Sequence, residues 1–376
     1  MAARIAGASC ALGGLVASSY AASKLLPRLS RRPAQDASLL WPPQPRCLPG
    51  TGSNSAGPVA TGSHQPRTVR VISQNVWNSF FAGGPGRQAR LIAFGEYLET
   101  HAVEVVAVQE MFVFGWGPFC DQGEAEAAAE MMRSLGFQYQ TSPVATLPVL
   151  GQSSGLAVYS KLPILRETHA VFSHRRAVTR KGWLEVELDL SAAPAPVDAA
   201  GAPRSDEVAG DRLVILATHM EHSHHPSWRA VRERQWKQLV ARATQLVADE
   251  TNGRQASGDA GPMVAVLGDF NVCSRDLGQL VDGGAEHRAL ADAMQSAGLA
   301  HELLCPAAVG TEPQEMTARP TLRLPSVEGA LSSSPDHFFV TSPLWQRLVR
   351  AAVVDTRGRG GLYVSDHFGL FAEFRT

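Results

Sequence analysis

The chain has 376 residues, 44% hydrophobic and 18% charged, which is enough to build a large core without disulfide or metal staples. A formal net charge of -1 and a sequence pI near 6.9 exclude a uniformly basic protein of the kind that binds nucleic acid over its whole surface. The cysteines lie far apart without a C-x-x-C pair, so a disulfide framework or thiolate zinc site is not expected.

The first 64 residues differ in composition from the remainder. They contain no acidic residue before Asp36, carry several Lys and Arg, and are rich in Ala, Ser and Gly, with a diluted apolar stretch at 5–22. This composition favours a cleaved targeting segment for an organelle (mitochondrial or plastid), then a weak membrane anchor, then a disordered tail. A Pro/Ser/Gly-rich linker follows at 41–65. We therefore divide the chain into an N-terminal segment, 1–67, and a folded domain, 68–376.

From residue 68 onward, short apolar runs alternate with helical patterns. The predicted strands cover 69–75, 103–108, 155–160, 183–190, 212–218, 264–271, 338–340, 353–354 and 368–374. The predicted helices cover 87–100, 124–135, 228–249 and 286–297. Residues 191–210 and 251–262 are predicted to be solvated insertions, because they are rich in Ala, Pro, Gly and polar residues.

Polar residues suited to phosphate and metal chemistry recur where predicted strands begin or end. Asp269 and Asn271 follow an apolar run and, being two residues apart, share one face of the pleat. The other such positions are Asn75, Glu110, His219, Asp366 with His367, and the pair Asp336-His337. Since α/β sheets place ligands at the ends of their strands, we expect these side chains to line one cleft.

These motifs, taken in order, resemble those of the endonuclease/exonuclease/phosphatase superfamily. They are Q-N at 74–75, Q-E at 109–110, G-L-A-V-Y-S-K at 155–161, T-H at 218–219, G-D-F-N at 268–271, S-P-D-H at 334–337 and S-D-H at 365–367. The resemblance implies an α/β protein with the deoxyribonuclease-I-like fold. That fold is a four-layered α/β sandwich, in which two packed, mostly antiparallel sheets are flanked by helices.

Within the superfamily, the chain looks most like the neutral sphingomyelinases. The similar segments are N-V-W at 75–77, Q-E-M-F at 109–112, R-K-G-W at 180–183 and S-R-D-L-G at 274–278. The family's usual aromatic residue after the late aspartate is replaced here by His337.

The resemblance implies a role for each polar position. Glu110 is the expected main ligand of Mg²⁺, with Mn²⁺ as a second candidate, and Asn75 and Asp366 assist it. His367, oriented by Asp336, matches the general base. His219 matches a histidine that contacts the phosphate or leaving group, Asp269 orients His219 or the nucleophile, and Asn271 donates to a phosphoryl oxygen. Members of the superfamily divide the work between Asp269 and His367 differently, so that division is open.

Three further groups have competing interpretations. Lys181 is expected either to contact a lipid-head phosphate or to lie in a solvated turn. The aromatic residues Phe112, Phe114, Trp116 and Phe119 form either a loop that contacts membrane or acyl chains, or the half-buried core of a large loop. The histidines of H-M-E-H-S-H-H (His222, His224, His225) favour an exposed polar loop over a zinc site.

The leading interpretation is a metal-dependent phosphodiesterase that cleaves sphingomyelin, or a related phospholipid, to ceramide and phosphocholine. The second is a nuclease or a nucleotide or inositol phosphatase, whose basic strip would be Arg175, Arg176, Arg180 and Lys181. The third is a catalytically silent binding module, against which stands the presence of every expected polar residue. A phospholipid is thus the expected partner and nucleic acid is disfavoured, while the oligomeric state is open.

Overall fold

The computed structural model describes ten segments of the chain. They are residues 67–78, 86–113, 123–142, 152–174, 180–191, 211–222, 225–257, 262–273, 284–303 and 335–376. All of them belong to one compact unit, His64–Thr376. The N-terminal segment, 1–66, lies outside these residues, so the targeting interpretation stays a prediction. Within the described segments, no helix is both long enough and apolar enough to cross a membrane.

The described residues form two six-stranded sheets and five helices. The strands are β1 (Thr68–Asn75), β2 (Val105–Gln109), β3 (Tyr139–Gln140), β4 (Ala157–Ser160), β5 (Ile164–Val171), β6 (Gly182–Asp189), β7 (Arg212–His219), β8 (Val264–Asp269), β9 (His301–Leu303), β10 (Asp336–Val340), β11 (Leu348–Val354) and β12 (Gly369–Arg375). The helices are α1 (Arg87–Thr100), α2 (Gly123–Ser134), α3 (Pro226–Ser257), α4 (Ala285–Ser296) and α5 (Ser342–Gln346).

The two sheets have similar topology. The first has the strand order β11-β12-β1-β2-β4-β3, and the second has the order β5-β6-β7-β8-β10-β9. Each sheet contains one parallel pair, β1 with β2 and β7 with β8, and its other pairs are antiparallel. Parallel neighbours end at the same edge of a sheet, so four strand ends are available to build a cleft.

Side-chain alternation along the strands produces three apolar clusters and hence four layers. Val71, Ala107, Ile215 and Leu267 pack between the two sheets. The opposite face of the first sheet packs on α1 and α2, through residues such as Phe94 and Met132. The opposite face of the second sheet packs on α3 and α4, through residues such as Leu239 and Leu290. The structure therefore confirms the predicted sandwich of two mostly antiparallel sheets flanked by helices.

The sequence prediction misses elements whose stability comes from a neighbour. Strands β3, β5 and β9 and helix α5 were not predicted, and β5 is a polar edge strand that forms by pairing with β6. The insertion predicted at 251–262 is wrong over its first part, because α3 continues to Ser257. There the Thr251 hydroxyl donates to the Val247 carbonyl at 2.6 Å, which satisfies this polar side chain within the helix. The insertion predicted at 191–210 lies almost entirely outside the described residues.

Candidate active site

The ends of the two parallel pairs meet in the space between the sheets. Asn75 ends β1, and its Nδ2 donates to Glu110 Oε1 at 3.2 Å and to Asp269 Oδ2 at 3.1 Å. Glu110 follows β2 in the same sheet, whereas Asp269 ends β8 in the other sheet. The Asn75 amide therefore joins a carboxylate from each sheet.

His219, at the end of β7, lies beside both carboxylates. Its Nε2 is 3.4 Å from Asp269 Oδ2 and 3.9 Å from Glu110 Oε1. The side chain is 2% exposed, and within the described part of the chain its Nδ1 has no hydrogen-bond partner. Burial and the adjacent Lys181 charge place the pKa of His219 well below its usual value. Burial and this charge therefore favour the neutral imidazole.

Lys181 enters the cluster from the residue before β6. Its Nζ donates to the Met220 carbonyl at 2.6 Å and lies 2.9 Å from His219 Nε2. An ammonium has only donors, so His219 Nε2 is the acceptor in this contact. Burial lowers the pKa of Lys181, although the charges of Glu221, Asp269 and Glu110 oppose that shift. The solvated-turn alternative for Lys181 is thus wrong: its side chain is buried among the polar groups of the site.

A second part of the site joins β10 to the segment before β12. Asp336 Oδ2 lies 2.8 Å from His367 Nδ1, and Asp336 is the register partner of Asp269. Burial lowers the pKa of His367, but the Asp336 carboxylate outweighs it and raises this pKa to about 10. Burial and the charge of Asp336 raise the pKa of Asp269 to about 7. His367 and Asp269 are the two candidates for the general base, and the pKa of each is therefore far from its usual value.

Two residues of the site adopt a backbone conformation that side chains other than glycine rarely take. Glu110 has φ +62° and Asn271 has φ +55°. Asn271 is held there because its N–H donates to Asp269 Oδ1 at 2.9 Å and its Nδ2 to the Met220 carbonyl at 3.0 Å. Such strain concentrates at functional sites, where the surrounding contacts fix an otherwise unfavourable conformation.

Gly268 allows the two strand ends to approach this closely. Its φ is +136°, and a Cβ there would lie 2.1 Å from the Thr218 carbonyl oxygen. Any side chain would therefore push β8 away from β7 at the point where His219 and Asp269 are paired.

The donor atoms form two overlapping clusters that could hold a metal ion. One consists of Glu110, His219 and Asp269, and the other of Asp269, Asp336 and His367, with the ligand atoms of each within 4.8 Å of one another. Asn75 faces the carboxylates with its nitrogen, while its Oδ1 accepts from the Trp77 N–H at 2.9 Å. In this orientation the amide nitrogen joins Glu110 and Asp269.

Asp366 lies at the margin of these clusters. It belongs to neither of them, and its Oδ1 accepts from the Ser365 hydroxyl at 3.1 Å. Its charge nevertheless contributes to raising the pKa values of both Glu110 and His367. Burial is the larger cause for Glu110, whose pKa is raised despite the opposing charge of Lys181.

The remaining predicted groups are placed only in part. Phe112 is half-buried, and its ring centroid lies 6.2 Å from that of His219. The other predicted residues that lie outside the described part of the chain are Phe114, Trp116, Phe119, Arg175, Arg176 and His224. His222 and His225 are exposed, and neither belongs to the metal-binding clusters found among the described residues. The structure thus agrees with a polar surface for these two histidines.

Two positioning residues were not singled out from the sequence. Buried Gln74 donates from Nε2 to the His367 carbonyl at 3.2 Å and accepts from the Thr356 hydroxyl at 2.9 Å. The Ser365 hydroxyl accepts from the His367 backbone N–H at 3.1 Å. Gln74 belongs to the Q-N motif and Ser365 to the S-D-H motif, and this membership is the only feature of the sequence that points to them.

Comparison with known proteins agrees with this geometry. The profile of the Endonuclease/Exonuclease/phosphatase family matches residues 72–367. An endonuclease/exonuclease/phosphatase structure from Beutenbergia cavernae is 17% identical, with TM-score 0.55, over 82% of this chain and 72% of that one. Beta toxin from Staphylococcus aureus, with bound magnesium ions, is 16% identical, with TM-score 0.52, over 82% of this chain and 100% of that one.

A family protein from Leptotrichia buccalis is 12% identical, with TM-score 0.51, over 82% of this chain and 100% of that one. At these identities the structural likeness shows the fold alone. Comparison with curated protein sequences gives no match.

Proposed function

Because the chain belongs to the endonuclease/exonuclease/phosphatase family and is a phosphodiester hydrolase, we propose that it cleaves sphingomyelin or a closely related phospholipid to ceramide and phosphocholine. The observation that carries this proposal is the position of Lys181. The R-K-G-W segment that resembles the sphingomyelinases delivers this ammonium into the site, 2.9 Å from His219 Nε2. A buried point charge there suits the phosphate of a lipid headgroup.

The polar groups divide the work of hydrolysis among them. His367, held by Asp336, accepts the proton of the attacking water once it has lost its own. Lys181, Asn271 and His219 contact the phosphoryl and leaving-group oxygens, and Asp269 orients the nucleophile. His219 Nε2 accepts from Lys181, so only Nδ1 of this ring carries a hydrogen. Since the pKa of His367 is raised to about 10 and that of Asp269 to about 7, the alternative base is Asp269. The pH dependence predicted below separates these two assignments.

We assign magnesium to the Glu110 carboxylate, with Asn75, Asp366 and the Asp269 carboxylate beside it. Carboxylate oxygens are the ligands that Mg²⁺ and Mn²⁺ prefer, and a structure of the same fold contains bound magnesium ions. When bound, the ion neutralises charge that develops on the phosphoryl oxygens. Asn75 keeps the two carboxylates together through its bonds of 3.2 and 3.1 Å.

A nuclease has less support from the described residues. The basic strip expected of a nuclease included Lys181, but this side chain is buried in the site instead of lying along a surface. A silent binding module also has less support, because the strained backbone at Glu110 and Asn271 is typical of a site that positions catalytic groups. Both alternatives are outcomes of the following experiment.

The full chain should be offered sphingomyelin vesicles, phosphatidylcholine vesicles, plasmid DNA and inositol phosphates, each with Mg²⁺ and again with a chelator. We expect release of phosphocholine from sphingomyelin that the chelator abolishes. Lys181→Ala should reduce this release, with Lys237→Ala, an exposed lysine on α3, as the matched control. Cleavage of DNA but not of lipid would replace the proposal with the nuclease, and turnover of no substrate would favour the binding module.

Membrane contact and targeting complete the proposal. Phe112 lies beside His219, and we propose that it begins an aromatic segment, with Phe114, Trp116 and Phe119, that contacts the bilayer next to the site. We also propose that residues 1–67 direct the protein to an organelle or a membrane. A fluorescent reporter fused to these residues tests the second point, and a diffuse cytosolic signal would contradict it.

A further inference from the structure

A second buried polar cluster lies on the opposite face of the second sheet. It consists of His287 on α4, Glu302 on β9 and His337 on β10, and we call it the outer-face cluster. Glu302 Oε1 is 2.6 Å from His337 Nδ1, and Glu302 Oε2 is 2.9 Å from His287 Nε2. The two imidazole centroids are 5.1 Å apart. The ligand atoms of all three side chains lie within 4.8 Å of one another.

The outer-face cluster does not share ligands with the active site. His337 follows Asp336 directly on β10, and successive side chains on a strand point to opposite faces. Asp336 is therefore on the side of Asp269, between the sheets, whereas His337 contacts Phe270 and Phe339 on the side of α4. The mechanism above uses none of the three outer-face side chains.

The hydrogen bonding of His337 requires a proton or a metal ion between its Nδ1 and Glu302. Its Nε2 is 2.6 Å from the Val272 carbonyl, which only accepts, so this nitrogen carries a hydrogen. In a neutral imidazole Nδ1 then presents a lone pair to Glu302 Oε1 at 2.6 Å. Two acceptors at this distance repel each other unless a proton or a metal ion lies between them.

The Glu302 carboxylate lies between the two imidazoles, with Oε1 facing His337 Nδ1 and Oε2 facing His287 Nε2. The cluster thus presents carboxylate oxygens and two imidazole nitrogens, and the Val272 carbonyl fixes the ring of His337. A backbone carbonyl on the second nitrogen is the usual companion of a histidine that binds a metal.

We propose that the outer-face cluster is a structural site for a transition-metal ion of the zinc class, bound by His287 Nε2, Glu302 and His337 Nδ1. Two imidazoles with one carboxylate suit zinc, whereas magnesium requires mostly oxygen ligands. Ligand atoms around a tetrahedral zinc are roughly 3.3 Å apart, given bonds of about 2.0 Å. The distances from Glu302 to His287 Nε2, 2.9 and 3.1 Å, are already close to this separation. The distance of 2.6 Å from Glu302 Oε1 to His337 Nδ1 must increase when the ion binds.

The position of the site indicates what the ion does. It connects α4, β9 and β10, and through His337 it reaches the Val272 carbonyl, which follows Asn271. Strand β9 has only three residues, and a shared ion adds a side-chain connection to its backbone pairing with β10. The ion stabilises this end of the second sheet and takes no part in the chemistry.

Zinc retained by variants of the full chain tests the proposal. Asp269→Asn removes the residue common to both active-site clusters and leaves each with one imidazole and one carboxylate. After saturation with zinc and removal of free metal, we expect near-stoichiometric zinc in the wild type and in Asp269→Asn. We expect its loss in Glu302→Gln, and its retention in the matched control His301→Gln on the same strand.

X-ray absorption at the zinc edge keeps the test independent of how the variants fold. Zinc bound to Asp269→Asn should show two imidazole ligands together with oxygen, which supports the site even if Glu302→Gln is unfolded. Absence of zinc from the folded Asp269→Asn variant, or zinc without two imidazoles, would overturn the proposal. In that case a proton on His337 supplies the positive charge and the cluster is a buried ion pair.

Discussion

Asp336 and His337 are adjacent in the chain, yet they belong to two polar clusters of opposite character. The active-site cluster holds poorly balanced charges: the pKa of Asp269 is raised to about 7 and that of His219 is strongly lowered, both with burial as the main cause. The outer-face cluster is balanced, because one carboxylate lies between two imidazoles. The comparison indicates that the active-site cluster lowers the stability of the fold in return for catalytic groups, whereas the outer-face cluster stabilises the fold and takes no part in catalysis.

The largest expected effect is on activity. Glu110→Gln removes the carboxylate assigned to the ion and should lower kcat by about 10³-fold, the upper range for loss of one electrostatic contact. Because burial raises the pKa of Glu110, its neutral replacement should not lower the free energy of unfolding. Vesicle hydrolysis and urea denaturation measure the two effects, with the exposed Glu130→Gln as the control. Near-normal activity would show that Glu110 does not carry the ion.

The reciprocal variant should change stability instead. Glu302→Gln leaves buried imidazoles without their carboxylate, so we expect a loss of about 3 kcal/mol in the free energy of unfolding. Its kcat, corrected for the folded fraction, should stay in the range of the wild type. Urea denaturation at neutral pH measures the first quantity, with His301→Gln as the control. A selective fall in kcat would break the proposed separation of the two clusters.

The pH dependence of kcat in the wild type and in Asp336→Asn identifies the base. Asp336 raises the pKa of His367, so its removal lowers that pKa. If His367 is the base, the acidic limb of the kcat profile moves to lower pH, and kcat at its optimum falls by about 10²-fold. Because Asp336 also raises the pKa of Asp269, the limb moves in either case, and its position in the wild type decides: a limb near pH 10 assigns the base to His367, and a limb near pH 7 assigns it to Asp269.

The same pair predicts a dependence of stability on pH. Since the folded pKa of His367 is about 10, its contribution is fully present below the unfolded value of about 6.5 and is lost as the pH rises through about 10. In the presence of a chelator, the wild type should therefore lose stability over this window more steeply than Asp336→Asn. Thermal unfolding at a series of pH values measures the difference, and parallel curves would contradict it.

The smallest expected effect concerns a residue that acts through His367. Gln74→Leu removes the donor to the His367 carbonyl and should lower kcat roughly three- to tenfold, the value of about 1 kcal/mol, with KM unchanged. Thr356→Val, which removes only the hydroxyl bonded to Gln74 Oε1, should have a smaller effect. A rise in KM for Gln74→Leu would place this residue in substrate binding.

The sequence predicted the long buried elements well because their patterns are local. Helix α1 has the predicted limits, and the strands that carry Asn75, His219 and Asp269 end where the apolar runs end. The predicted alternation does not extend to Asn271, because β8 ends at Asp269 and Asn271 has φ +55°. Strand β9 and the part of α3 beyond its predicted end have no such pattern. Pairing with β10 stabilises β9, and the preceding turns of the helix stabilise the end of α3.

By itself, the sequence determined the order of the strands along the chain, the polar residues at their ends and the family whose motifs those residues match. Only the tertiary structure decided which of these residues touch. It buried Lys181 beside His219, gave Glu110 and Asn271 their left-handed backbone, and paired Glu302 with His287 and His337. The physical reason is that these contacts join segments far apart in the chain, so no local pattern encodes their distance, burial or charge.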